Sequence, residues 1–134
     1  MATVATTTDA IKPILEVVLI VDDHAPFRCL VRSLFPVETT QFIECNEGEA
    51  AVSAYSEKRP NWVLMDIEMK GMSGLKAARL IKDRHPEARV IIVTQYDDHD
   101  LRAKALKAGA CGFILKENIA DLRRLINEAR APNA

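Results

Sequence analysis

The sequence predicts an α/β fold: one domain on a single parallel five-stranded sheet, (βα)5 in plan and doubly wound with helices on both faces. Three observations predict it. Short apolar runs, most of them rich in β-branched residues, recur along the chain and are too short for buried helices, so each reads as a strand covered on both faces. Amphipathic patterns with i, i+3, i+4 spacing fill the stretches between those runs. A length of 134 residues suits one core and leaves little room for a second.

Residues 1–16 read as a flexible leader, with Pro13 as a breaker, ahead of a domain at 17–131 and a tail at 132–134. The leader lacks a basic n-region and carries Asp9, and Val17–Val21 is far too short to span a bilayer. Neither a signal peptide nor a membrane anchor is therefore expected. Val17–Val21 is the first strand, and Phe27, Leu30, Val31 and Leu34 mark the first helix. The weaker run Phe42–Cys45, interrupted by Glu44, suits an edge strand. Ala50, Ala51, Ala54 and Tyr55 mark the second helix, Trp62–Met65 the third strand, and Gly74, Ala77, Ala78 and Ile81 the third helix. Val90–Val93 follows as the fourth strand. Leu101, Ala105 and Ala108 then mark the fourth helix, with Asp97 or Asp98 as its N-cap and Gly109 as a left-handed cap at its end. Cys111–Leu115 is the fifth strand, and Leu122, Leu125, Ile126 and Ala129 mark the fifth helix.

Composition narrows the function. Eighteen basic against nineteen acidic residues leave a net charge of −1, so no global field draws nucleic acid or an anionic membrane. Cys29, Cys45 and Cys111 show no metal-ligand spacing and read as reduced core thiols, which suits a cytoplasmic protein. His24, His85 and His99 read as exposed; Arg123, Arg124 and Arg130 read as a solvated face balanced by Asp121 and Glu128. Met65, Met69 and Met72 read as packing residues.

In open parallel sheets the chemistry lies beyond the carboxyl ends of the strands. There the first strand ends in Asp22 and Asp23, the third in Asp66, the fourth in Thr94 and the fifth in Lys116. Three crowded carboxylates repel one another unless a cation neutralises them, and hard oxygen ligands suit Mg²⁺. A hydroxyl and an ammonium beside them are what an incoming phosphoryl group needs.

These residues resemble the receiver domains of two-component response regulators. The resemblance runs from about Val17 to Ala129 and rests on the acidic pair in IVDDH, the aspartate in LMDIEMKGMSG, the threonine in IIVTQ and the lysine in GACGFILKE. The string CGFILKEN is most similar to receivers of the NarL/FixJ group, which precede a helix-turn-helix output domain. The resemblance implies a flavodoxin-like fold with strand order 2-1-3-4-5. It also implies that Asp66 is the phosphoacceptor, and that Asp22, Asp23, Asp66 and the backbone carbonyl of Glu68 hold Mg²⁺. Lys116 would pair with Asp66 and then with the phosphoryl oxygens; Thr94 would bind a phosphoryl oxygen and pull its loop, with Phe113 and Tyr96 as switch residues. The implied partners are a histidine kinase or histidine phosphotransfer protein, with a homodimer forming on phosphorylation and no nucleic acid or membrane contact by this chain.

Three positions depart from the family pattern. Glu117 stands where proline often follows the lysine, so a trans bond is expected there. Lys70 replaces a loop proline, and Gln95, with Glu68 and Tyr96, is placed to crowd the phosphodonor and the hydrolytic water. Other readings exist. A haloacid-dehalogenase-type phosphatase would want an aspartate where Glu68 stands, and a cap insertion that is missing. A phosphorylation-independent interaction module and the receiver half of a DNA-binding regulator are the remaining two.

Overall fold

The computed structural model describes residues 13–130, so the expectations for residues 1–12 and for the tail at 132–134 fall outside it. The elements follow in the order β1 (Glu16–Val21), α1 (Ala25–Arg32), β2 (Thr40–Cys45), α2 (Gly48–Lys58), β3 (Trp62–Asp66) and α3 (Gly74–Arg84). Then come β4 (Val90–Thr94), α4 (His99–Lys107), β5 (Gly112–Leu115), a 3₁₀ segment (Lys116–Asp121) and α5 (Leu122–Arg130). All strand pairs are parallel, and the sheet order is β2-β1-β3-β4-β5, as the resemblance implied.

Alternation along each strand sends side chains to two cores. Leu19, Val21, Val63, Met65, Val90 and Ile92 face α2, α3 and α4, while Val18, Ile20, Leu64, Ile91 and Val93 face α1 and α5. Every residue of β3 and β4 is buried, which is why their sequences read as unbroken apolar runs up to Asp66 and Thr94. Local chemistry sets the helix ends. Pro26 sits in the first turn of α1, where a missing N–H is tolerated. Ser73 caps α3 by accepting from the Leu75 N–H, and Asp98 caps α4 by accepting from the Asp100 N–H. Gly109, at φ +95°, leaves α4 in the left-handed region as expected.

Several expectations need correction. β1 begins at Glu16, inside the expected leader, and β2 begins at Thr40, because the Leu15 and Glu16 N–H groups both reach the Thr39 carbonyl. Leu30 is 47% exposed, since α1 turns only Val31 fully into the core. All three cysteines are free, but Cys29 and Cys111 are exposed and are not core thiols, while Cys45 is partly buried against the core. Burial pushes the Cys45 thiol up. His85 is half-buried, its ring tilted against Tyr55 and hydrogen-bonded to Ser56 Oγ at 3.1 Å. Arg123 and Arg130 do not simply face solvent: both bind Glu16, which also accepts from Trp62 Nε1 at 3.0 Å. The Lys116–Glu117 bond is trans, as expected.

Candidate functional site

The carboxyl edge of the sheet gathers the expected residues. Just past β1, Asp22 is 2% exposed, and its Oδ1 accepts the His24 N–H at 2.8 Å. Arg28 on α1 holds this turn from outside by donating to the Asp22 carbonyl at 2.6 Å while pairing with Glu44 on β2 at 2.8 Å. Glu44, which interrupts the apolar run of β2, is therefore the anchor of an arginine. Asp23 is exposed beside them.

Asp66, the last residue of β3, is 5% exposed and receives only a long contact, 3.4 Å, from the Glu68 N–H. Gly74 lets α3 start directly against the Asp66 backbone. Thr94 ends β4 and is 1% exposed; its Oγ1 accepts the Tyr96 N–H at 3.2 Å. Lys116 follows β5 and reaches inward. Its Nζ lies 2.7 Å from Asp22 Oδ2, 3.6 Å from Asp66 Oδ2 and 4.6 Å from the centre of the Phe27 ring. Asp22, not Asp66, is thus the nearer partner of the ammonium. Phe27 escaped the sequence reading because its i, i+4 pattern marked it only as helix core.

Burial, first, and then the charge of Asp22 push the Asp66 carboxyl up to about 6, against the opposing pull of Lys116 and the Glu68 N–H. One carboxylate oxygen from each of Asp22, Asp23 and Asp66 lies within 4.8 Å of the others. Asp22 Oδ2 is buried without a hydrogen bond, because Lys116 approaches it at ion-pair distance but off the hydrogen-bond direction. An oxygen-only donor set with an unsatisfied buried oxygen fits a hard divalent cation such as Mg²⁺.

Asp66, Thr94 and Lys116 open into one cleft of about 420 Å³ with Asp23; of the three residues expected to crowd it, Glu68 and Gln95 line the same cleft and Tyr96 does not. Tyr96 is 43% exposed, with its hydroxyl bonded to Gln95 Nε2 at 3.0 Å. Phe113 is partly buried under the Arg102 guanidinium, 4.5 Å from its ring centre.

A buried strand-end aspartate, flanked by two acids, a hydroxyl and a lysine, defines a phosphoryl-accepting signalling domain. The chain belongs to the response regulator receiver domain family, which matches residues 18–129. It is 34% identical over 106 residues to the transcriptional regulatory protein DegU of Brevibacillus brevis, covering 78% of this chain and 45% of that protein. With the response regulator GacA of Pseudomonas viridiflava it shares 35% identity over 101 residues, covering 74% of this chain and 47% of that one. The chain therefore spans about half the length of these relatives. Among solved structures, the signal receiver domain of the response regulator NarL from Mycobacterium tuberculosis matches with a TM-score of 0.76 at 28% identity, over 90% of this chain and 100% of that one. CheY in the CheX-CheY-BeF3-Mg complex from Borrelia burgdorferi matches with a TM-score of 0.82 at 28% identity, over 89% and 92% of the two chains. Receivers of this family interact with histidine kinases or phosphotransfer proteins. Among the described residues, no helix is long and apolar enough to cross a membrane.

Proposed function

We propose that Asp66 is the phosphoacceptor and takes a phosphoryl group from the phosphohistidine of a kinase or phosphotransfer protein. One observation carries this reading: the Asp66 carboxylate shares its cleft with Thr94 and Lys116 and stands within 4.8 Å of two further acids. A carboxylate oxygen of Asp66 attacks phosphorus, the bond to the donor imidazole breaks, and an aspartyl phosphate remains. The backbone carbonyl of Glu68, with Asp22, Asp23 and Asp66, would hold Mg²⁺, which supplies charge neutralisation for the acids and the phosphoryl oxygens. The Mg in the complex of the structurally similar Borrelia CheY supports that choice.

Lys116 supplies the positive charge for the phosphoryl oxygens, and its three-way seating by Asp22, Asp66 and Phe27 keeps it within the cleft before reaction. Thr94 donates its hydroxyl to a phosphoryl oxygen. Its Oγ1 can keep accepting the Tyr96 N–H while the hydroxyl proton is donated, so as Thr94 is drawn to the phosphoryl oxygen it pulls the loop before α4 with it. Tyr96 and Phe113 follow, and the α4-β5-α5 face changes between two populations. Glu68 and Gln95 at the cleft mouth set the rate and lifetime of the phosphoryl group without choosing its site. Such a chain acts as a cytoplasmic switch and not as a turnover enzyme, dimerises when phosphorylated, and leaves nucleic acid to another element.

Intact-mass spectrometry with acetyl phosphate and Mg²⁺ tests the assignment. The wild type should gain one phosphoryl group and Asp66→Ala none. An unmodified wild type, or an adduct that survives in Asp66→Ala, would overturn it.

A further inference from the structure

The helices α3 and α4 lie on the same face of the sheet but make few contacts with one another. Between them runs a groove of about 270 Å³ with Leu75 and Ala108 as apolar lining. Lys76 and Arg79 line it from α3, and Lys104 and Lys107 line it from α4. Each pair is spaced i, i+3, which places both cations on one side of their helix. All four are exposed, and none forms an ion pair among the described residues. Asp83 and Asp100, acids of the same two helices, pair with none of them either. Of the other cations, Arg28, Arg32, Arg59, Arg123 and Arg130 meet acids and Lys82 donates to the Pro86 and Ala88 carbonyls, while Lys58, Lys70 and Arg84 stand singly and do not gather around a groove.

Four unpaired positive charges around an apolar strip are a local feature, because the chain as a whole carries −1. Their mutual repulsion is relieved by an anionic occupant. A phosphodiester backbone satisfies the charges but gains nothing from Leu75 and Ala108. An amphipathic segment with carboxylates flanking an apolar stripe satisfies both. We propose that the α3–α4 groove docks an acidic amphipathic segment of a partner protein, its apolar side chains on Leu75 and Ala108 and its carboxylates against Lys76, Arg79, Lys104 and Lys107. This groove shares no lining residue with the phosphoacceptor cleft, so its charges can be altered without touching that cleft.

Fluorescence anisotropy on the full chain tests it, with a short labelled helical peptide carrying glutamates on both sides of a leucine stripe. The peptide should bind, and its affinity should fall as salt rises. Lys76→Glu/Lys107→Glu should weaken binding about tenfold or more, the combined loss of several rim charge pairs. Replacing the peptide's glutamates with glutamine should have a comparable effect. Because the altered side chains are exposed, thermal unfolding of the variant should match wild type; Lys104→Gln/Lys107→Gln serves if it does not. A wild type that ignores the peptide, or a variant that binds it equally, overturns the proposal. A single-stranded oligonucleotide that binds more tightly than the peptide, and loses affinity in the same variant, overturns it in favour of nucleic acid.

Discussion

A Cβ placed on Gly74 would stand 1.8 Å from the carbonyl oxygen of Asp66 and 2.7 Å from its carbonyl carbon. The first residue of α3 is thus packed onto the backbone of Asp66, and the Gly74 N–H donates to the next carbonyl, Ile67, at 3.0 Å. The obstacle is backbone, so it cannot swing away as a side chain would. Gly74→Ala should destabilise the protein by roughly 2–4 kcal/mol, within the range of severe overpacking. Gly71 gives the contrast: its φ is +79° but nothing lies within 4 Å of a Cβ there. Gly71→Ala should cost only about 1 kcal/mol of backbone strain. Chemical denaturation of both variants checks the order, and equal costs would contradict the close approach.

Lys116 is steadied from below by the Phe27 ring, 4.6 Å from its ammonium. Phe27→Leu keeps the apolar volume but removes the ring's negative face. It should slow phosphorylation by acetyl phosphate about two- to fivefold, as expected for a cation–π contact of about 0.5–1 kcal/mol. Phe27→Trp should retain most of the rate. Initial rates from intact-mass time courses decide it; an unchanged rate in Phe27→Leu would mean that Asp22 and Asp66 seat the lysine alone.

Much of this architecture is legible in the sequence. β1, β3 and β4 are buried on both faces, so their apolar runs end where the chain reaches polar strand-end chemistry at Asp22, Asp66 and Thr94. The fourth helix was legible from its caps, Asp98 and Gly109. Contacts that join distant parts of the chain were not legible. Nothing local to Phe27 reports that Lys116 lies over it, and nothing local to Glu44 reports Arg28. Arg59 takes a left-handed φ of +47° at the end of α2, where pattern alone gives no warning because the usual glycine is missing. In the sequence Glu16 reads as the end of the leader, because one charged residue before an apolar run looks like loop. Its partners lie 46 and more residues away.

Those partners make Glu16 the tie between β1 and the end of the chain's last helix. The carboxylate is 14% exposed and receives Trp62 Nε1, Arg123 and Arg130. Glu16→Gln keeps the shape but removes the charge, leaving two guanidinium groups without their anion. A loss of about 1–2 kcal/mol is expected, typical of a charge-assisted cluster at partial burial. Trp62 is the chain's one tryptophan, so its emission reports directly on this change. Amide exchange should rise in α5 before it rises in β3. Uniform exchange across the sheet would show that Glu16 acts on global stability alone.

Asp66 carries the clearest pH signature. Burial and the Asp22 charge lift its carboxyl from 3.8 to about 6 in the folded protein. A carboxyl with its folded pKa above the unfolded value binds its proton more tightly when folded. Its contribution to stability is complete below the unfolded pKa and is lost as pH rises through the folded one. In EDTA the wild type should therefore lose stability across the window from 3.8 to about 6. Asp66→Asn has no charge to bury, so above that window it should be the more stable protein, by on the order of 3 kcal/mol. The two curves should converge toward 3.8 and below, where both side chains are neutral. Added Mg²⁺ should narrow the gap at neutral pH, because it binds the ionised cluster of the wild type and a weakened one in the variant. Thermal melts across pH, with and without Mg²⁺, measure all three effects. A wild type already as stable as Asp66→Asn at neutral pH in EDTA would show that the acidic cluster bears no strain for a cation to relieve.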